Sequence, residues 1–184
     1  HKSFLFFLNY KNIKDVHFKL VRLEDRDLER FNKIKGRENR LQFLHSKQEV
    51  NSWSQSLPGS NDFNYHGIEL PVEGLEFGHY ALLCAINKHF KLSDQNPVSI
   101  NFFNVSNMSY IHSVGDTKTS LYVTDRSTGA PLKNVTVEVY SHAYDYTTRG
   151  YKLERIESLQ TDKEGHVSFE GAERNFSFKL IRGK

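Results

Sequence analysis

From about residue 104 to the C-terminus, apolar side chains alternate with polar ones, and this period of two limits the possible folds more than any other feature of the chain. In residues 119–124, Leu121 and Val123 point one way while Tyr122 and Thr124 point the other. Val135, Val137 and Val139 alternate in the same way with Thr136, Glu138 and Tyr140, and Val167 with Phe169 and then Phe176, Phe178 and Leu180 continue the pattern. Helices of period 3.6 cannot sort these residues onto one face, whereas half-buried strands do so automatically. Short strands separated by turn signals predict a small antiparallel sandwich.

The turns carry their own chemistry. In the segment Asp125-Arg126-Ser127-Thr128-Gly129-Ala130-Pro131, the Asp carboxylate is placed to accept from a backbone amide two residues on, the Gly supplies positive φ and the Pro closes the loop. Asp162-Lys163-Glu164-Gly165 repeats the device. Each joins two strand-like runs, so both read as hairpin turns.

The first hundred residues are less uniform. Strand-like stretches at 4–10, 16–23, 65–72, 78–87 and 98–105 surround a helical insertion over about residues 24–57. Leu28, Phe31 and Ile34 recur at helical spacing inside the charged run 24–40, and Val50, Trp53 and Leu57 do so before Pro58-Gly59, which predicts two short helices. Alternating charges in the first of these fit a solvated face rather than a phosphate-binding stripe. The expected fold class is therefore mainly β: two tandem Ig- or fibronectin-like antiparallel β-sandwiches, residues 1–104 with the helical insertion and residues 105–184 without one. No Gly/Ser-rich or Pro-rich linker marks the boundary, so the two modules are expected to be held against each other.

Composition narrows the function. Twenty-five Lys and Arg against 22 Asp and Glu give a net charge of +3. The basic residues are interleaved with acidic ones, so no nucleic-acid partner is expected. No apolar run reaches the ~18 residues of a membrane-spanning helix, so no membrane segment is expected either. Phe4-Leu5-Phe6-Phe7-Leu8 is too short for the core of a signal peptide and reads as a strand. A start at His1 and a stop at Lys184, straight after a strand-like segment, read as a piece cut from a longer protein.

Catalytic spacing is absent. The chain contains no G-x-S-x-G, H-E-x-x-H, Walker-type or dinucleotide-binding glycine motif. The nine histidines, at 1, 17, 45, 66, 79, 89, 112, 142 and 166, include no pair at i, i+2 or i, i+4. Asp162, Glu164 and His166 alternate, but they supply fewer acidic positions than a calcium loop requires. No catalytic residue, metal site or cofactor is assigned. The single Cys84, inside an apolar run, reads as a small buried hydrophobe, not a nucleophile. The candidate binding residues are Tyr140, Tyr144, Tyr146 and Tyr151, which crowd one hairpin around His142, Asp145 and Arg149. Exposed tyrosines with polar neighbours stack on sugars or anchor a protein partner; the competing reading packs them along an extended β-ribbon.

The residues also suggest a family. Tyr122-Val123-Thr124-Asp125, then Thr128-Gly129-Ala130-Pro131-Leu132-Lys133-Asn134-Val135, Val137-Glu138-Val139-Tyr140 and Thr161-Asp162-Lys163-Glu164-Gly165-His166-Val167, resemble the macroglobulin-type repeats of bacterial alpha-2-macroglobulin-like proteins. The stretch Leu70-Pro71, Leu75 and Phe77-Gly78-His79-Tyr80-Ala81-Leu82, followed by Asn104-Val105-Ser106-Asn107-Met108-Ser109-Tyr110-Ile111, resembles the junction between two such repeats in the Bacteroidetes-type versions. The resemblance implies two non-enzymatic scaffold modules from the early part of a large exported protein, periplasmic or on the outer surface. Their partners would be neighbouring β-sandwich domains and, through the full-length chain, proteases. The Cys-Gly-Glu-Gln thioester of many members is not carried over, because Cys84 is followed by Ala85-Ile86-Asn87. Two other readings stand beside this one: a glycan- or protein-binding module of a surface protein, and an accessory domain of a surface enzyme.

Overall fold

The computed structural model describes residues 3–59, 62–93, 96–147, 149–171 and 176–182, so His1, Gly183 and Lys184 lie outside the described residues. The chain divides into two compact units, residues 1–105 and 106–184.

In the first unit, β2 (Asp15–Leu23), β3 (Gln48–Ser56), β5 (Gly78–Ala85) and β6 (Val98–Val105) form an antiparallel sheet in the order β3-β2-β5-β6, while β1 (Phe4–Tyr10) pairs with β4 (His66–Val72) in a separate two-stranded sheet. Alternation sends Val16, Phe18, Leu20, Tyr80 and Leu82 into one cluster with Tyr10, Leu70 and Val72. The intervening Val21, Leu23, Ala81, Leu83 and Ala85 join Phe31, Leu41, Leu44 and Phe90 in a second cluster. The central strands are thus covered on both faces, by β1 and β4 on one side and by helices α1 (Asp27–Lys33) and α2 (Arg37–His45) on the other. That is why β5 reads as an unbroken apolar run rather than an alternating one.

The helical insertion is shorter than expected and differently placed. Helix α1 falls where Leu28 and Phe31 predict it, with Phe31 buried and Leu28 46% exposed. The second helix is α2, which buries Leu41 and Leu44, whereas the segment containing Val50 and Trp53 is strand β3. A β-bulge caused the misreading. Leu20 pairs with Asn51 and Val21 with Glu49, which leaves Val50 as the extra residue and breaks the alternation into a spacing that imitates a helix. Trp53 meets Phe18 across the strand pair with ring centroids 5.0 Å apart.

The second unit is a sandwich of two three-stranded antiparallel sheets. One has the order β11-β8-β7, from β7 (Met108–Val114), β8 (Lys118–Asp125) and β11 (His166–Glu170). The other has the order β10-β9-β12, from β9 (Thr136–Asp145), β10 (Gly150–Gln160) and β12 (Ser177–Ile181). Leu121, Val123, Val135, Val137, Val139, Val167 and Phe169 fill the space between them.

Both Asp-led turns have the expected local chemistry. Asp125 Oδ1 accepts from the amides of Ser127 (2.9 Å) and Thr128 (3.0 Å), and Asp162 Oδ1 from those of Glu164 (3.0 Å) and His166 (2.8 Å). Gly129 and Gly165 have φ of 73° and 71°. The turns are not hairpins, however. The first carries the chain from β8 to β9 and the second from β10 to β11, and each of these pairs lies in opposite sheets. Valines on both flanking strands need a facing layer, so the chain crosses the core instead of folding back on its neighbour. Buried Thr161 ties the crossings together: its Oγ1 accepts from the Val135 amide (2.9 Å) and donates to the Leu132 carbonyl (2.5 Å).

Gly165 is where this arrangement is tightest. A Cβ there would lie 2.4 Å from the Val123 carbonyl oxygen, whereas one at Gly129 would meet nothing within 4 Å. Gly165→Ala is therefore expected to destabilise the second unit by at least about 1–3 kcal/mol, from positive φ and the backbone clash together. Gly129→Ala carries only the φ penalty, so urea melts of the two variants should separate clearly.

Candidate functional site

The four tyrosines lie on the β9–β10 hairpin, where an antiparallel register sets which side chains meet. Tyr151 pairs directly with Tyr144, Leu153 with His142 and Arg155 with Tyr140. Tyr144 contacts Tyr146 and Tyr151 edge-to-face, with ring centroids 5.1 and 5.4 Å apart. Tyr146 and Tyr151 remain 85% and 77% exposed, and Leu153 and Ile156 extend the apolar surface. Three of the four tyrosines are therefore brought together.

Tyr140 is engaged elsewhere. Its hydroxyl donates to Glu138 Oε2 (2.8 Å), and Arg155 Nη1 donates to Glu138 Oε1 (2.7 Å). These two partners, Tyr140 foremost, hold the Glu138 carboxyl below the ordinary carboxylate range. His142 Nε2 lies 2.9 Å from Ser177 Oγ of β12. The polar network anchors the hairpin base to its sheet, and the tyrosine cluster stands on its distal half. Arg149, in the connecting turn, has φ of 50°, a left-handed conformation.

The remaining site expectations resolve locally. Asp162 and His166 approach to 3.8 Å, but Asp162 Oδ1 is occupied by the turn amides. Cys84 packs beside the first core cluster, where burial pushes its thiol up to about 11. A thiol so placed stays protonated at neutral pH and is a poor nucleophile.

A cleft in the first unit was not visible from the sequence. It is an open depression of about 400 Å³ lined by Lys19, His45, Glu49, Lys88, His89 and Phe90, residues that the fold collects from β2, the end of α2, β3 and the turn after β5. Lys19 Nζ lies 2.8 Å from Glu49 Oε2, and Ser52 also hydrogen-bonds the Glu49 carboxylate. Burial first, and Lys19 second, hold the His45 imidazole below its ordinary value, while the Phe90 carbonyl accepts a hydrogen bond from it.

The chain is similar to a solved structure of native alpha-2-macroglobulin from Escherichia coli spanning domains NIE–MG1, with TM-score 0.66 and 13% identity over 96% of this chain and 83% of that one. The fold is alpha-2-macroglobulin-like. A longer Escherichia coli fragment, MG0–NIE–MG1, matches with TM-score 0.62 and 16% identity over 97% of this chain, which spans 58% of its length. No protein-family model matches the chain, and no curated protein matches it in sequence. The alpha-2-macroglobulin-like fold accounts for the mainly β, antiparallel sandwich architecture, and the solved fragments are parts of a larger multidomain chain.

Proposed function

We propose that residues 1–104 and 105–184 are two scaffold modules of a large exported alpha-2-macroglobulin-like protein, of the Bacteroidetes type and from its early part, whose complete chain traps proteases outside the cytoplasm. The observation that carries this reading is the structural match to the NIE–MG1 segment over 96% of the chain. The interior supports it. Both units fill their cores with alternating aliphatic and aromatic residues, and the carboxylates that depart from their ordinary range are held by local turns and ion pairs rather than by one another. Such modules position functional segments elsewhere in the parent. The chain carries no thioester of its own, so covalent capture would reside in other parts of the parent.

The test is made on the full-length parent. Capture of an added protease, read as co-elution of the two on size-exclusion chromatography, is expected to be lost when residues 1–184 are deleted. Undiminished capture by the deleted parent would count against the scaffold role.

The exposed tyrosine cluster favours a second reading, a glycan- or protein-binding module acting through Tyr144, Tyr146 and Tyr151, with Tyr140 as the anchor of the hairpin base. Tyr144→Ala and Tyr146→Ala are each expected to weaken such binding by about 1–3 kcal/mol with little change in stability. Glycan-array or pull-down signals equal to wild type in both variants would dismiss it.

A further inference from the structure

The cleft beside α2 is built around a backbone irregularity. In a regular strand, Glu49 and Ser52, three residues apart, would face opposite sides of the sheet. The bulge at Val50 shifts the phase by one and turns both toward Lys19. Bulges serve in this way to re-aim side chains beside sites. The opposite wall has an irregularity of its own. Phe90 is held at φ of 51°, a left-handed conformation that a bulky residue rarely adopts. Its ring is buried in the second core cluster, and its amide donates to the Asn87 carbonyl (3.0 Å) while the His89 amide donates to Asn87 Oδ1 (2.8 Å). The turn presenting Lys88 and His89 is thus fixed on both sides.

Among the described residues, the charges in the cleft do not balance. There Glu49 is the one carboxylate in the lining, and Lys19 and Ser52 already satisfy it. Lys88 makes no ion pair among the described residues, and it faces the same space as the imidazoles of His45 and His89. We propose that this cleft binds a small oxyanion, a phosphate or carboxylate group on a ligand of sugar-ring or amino-acid size, with Lys88 and His89 contacting the anion from the turn and His45 from the end of α2. The size follows from the volume, about 400 Å³, near the lower end of small-molecule pockets at ~300–1,000 Å³. This reading is independent of the scaffold role.

Linkage supplies a specific readout. An anion in the cleft offsets the field of Lys19 and favours the imidazolium form of His45, so binding raises the His45 pKa, and protonation of His45 tightens binding. Among the described residues, Lys19, Glu49, Lys88 and His89 are the charged and titratable groups that line the space with His45. The experiment follows the His45 and His89 ring protons by NMR against pH, with inorganic phosphate, acetate or sodium chloride added at equal ionic strength. Phosphate, acetate or both are expected to raise the His45 midpoint saturably, by about half a pH unit or more, while chloride does not. The more effective of the two names the anion class. Lys88→Ala, on an exposed turn and of unchanged melting temperature, is expected to weaken the saturable effect at least about tenfold, and His89→Ala by a similar factor. An equal response to chloride, no saturation with either oxyanion, or full retention of the effect in both variants would overturn the proposal.

Discussion

Replacing Asp27 by alanine is expected to lower the stability of the first unit by about 3–5 kcal/mol, the cost of removing one member of a buried ion pair. Asp27 is fully buried. Its Oδ1 lies 2.7 Å from Lys47 Nζ and 3.5 Å from Arg30 Nη1, and its Oδ2 accepts from the Glu24 amide at 2.9 Å. One carboxylate therefore fastens the start of α1 to the chain between α2 and β3. Alanine would strand the mostly buried Lys47 ammonium, which lies over the Phe43 ring at 4.3 Å. Lys47→Met removes the opposite charge and leaves Asp27 buried with only the more distant Arg30, so it should be destabilising as well.

The same pair sets an acid dependence. Burial pulls the Asp27 carboxyl upward, but the hydrogen bonds from Lys47 and the Glu24 amide, with the charges of Lys47 and Arg30, hold it below its ordinary 3.8. A folded-state pKa below the unfolded one stabilises the fold above the unfolded value, and that contribution disappears as pH falls through the folded one. Urea midpoints measured between pH 7 and pH 2 should therefore carry a decline below about pH 4, in addition to the earlier loss that the lowered His45 imidazole brings as pH falls below its ordinary 6.5. The decline should be shallower in Asp27→Asn, which has no proton to take up at this site.

Phe18→Ala is the second large expected effect, about 3–5 kcal/mol. The ring is 1% exposed, stacks on Trp53 of β3 at 5.0 Å and meets Phe6 of β1 edge-on at 5.2 Å. Its removal opens a cavity bounded by both sheets of the first unit. Trp53 is the chain's single tryptophan, so its fluorescence reports on this unit alone. The variant should show red-shifted native emission as well as a lower denaturation midpoint. Unchanged emission and an unchanged midpoint would mean that Trp53 does not sit on Phe18, and hence that residues 48–56 do not pair with β2.

That segment shows where sequence reasoning succeeded and where it failed. Alternation made the strand around Val167 and Phe169 legible, because one buried face leaves its imprint on every second residue, while the strand at 4–10 was read from a short apolar run. The apolar run of β5 was legible as a strand, but its cover by helices on one face and strands on the other was not. A single bulge at Val50 made β3 look helical, and the real helix α2 went unseen because Leu41 and Leu44 are its only buried residues. The Asp-Gly turns were recognised by their hydrogen bonds, which are local. Which sheet each turn feeds is a tertiary matter, and there the hairpin expectation failed. Among the tyrosines, the register that pairs Tyr151 with Tyr144 and leaves Tyr140 to Glu138 cannot be read from spacing. The cleft depends on contacts among Lys19, His45 and Lys88, which only the folded chain brings together.

On the proposed scaffold role, the ionisable groups of both units serve turns, ion pairs and ligand contacts and break no bonds. The most direct measurement is turnover by the purified chain on peptide and glycan substrate libraries. No hydrolysis above buffer is the predicted result. Hydrolysis that is abolished by alanine at a single carboxylate or histidine would contradict it.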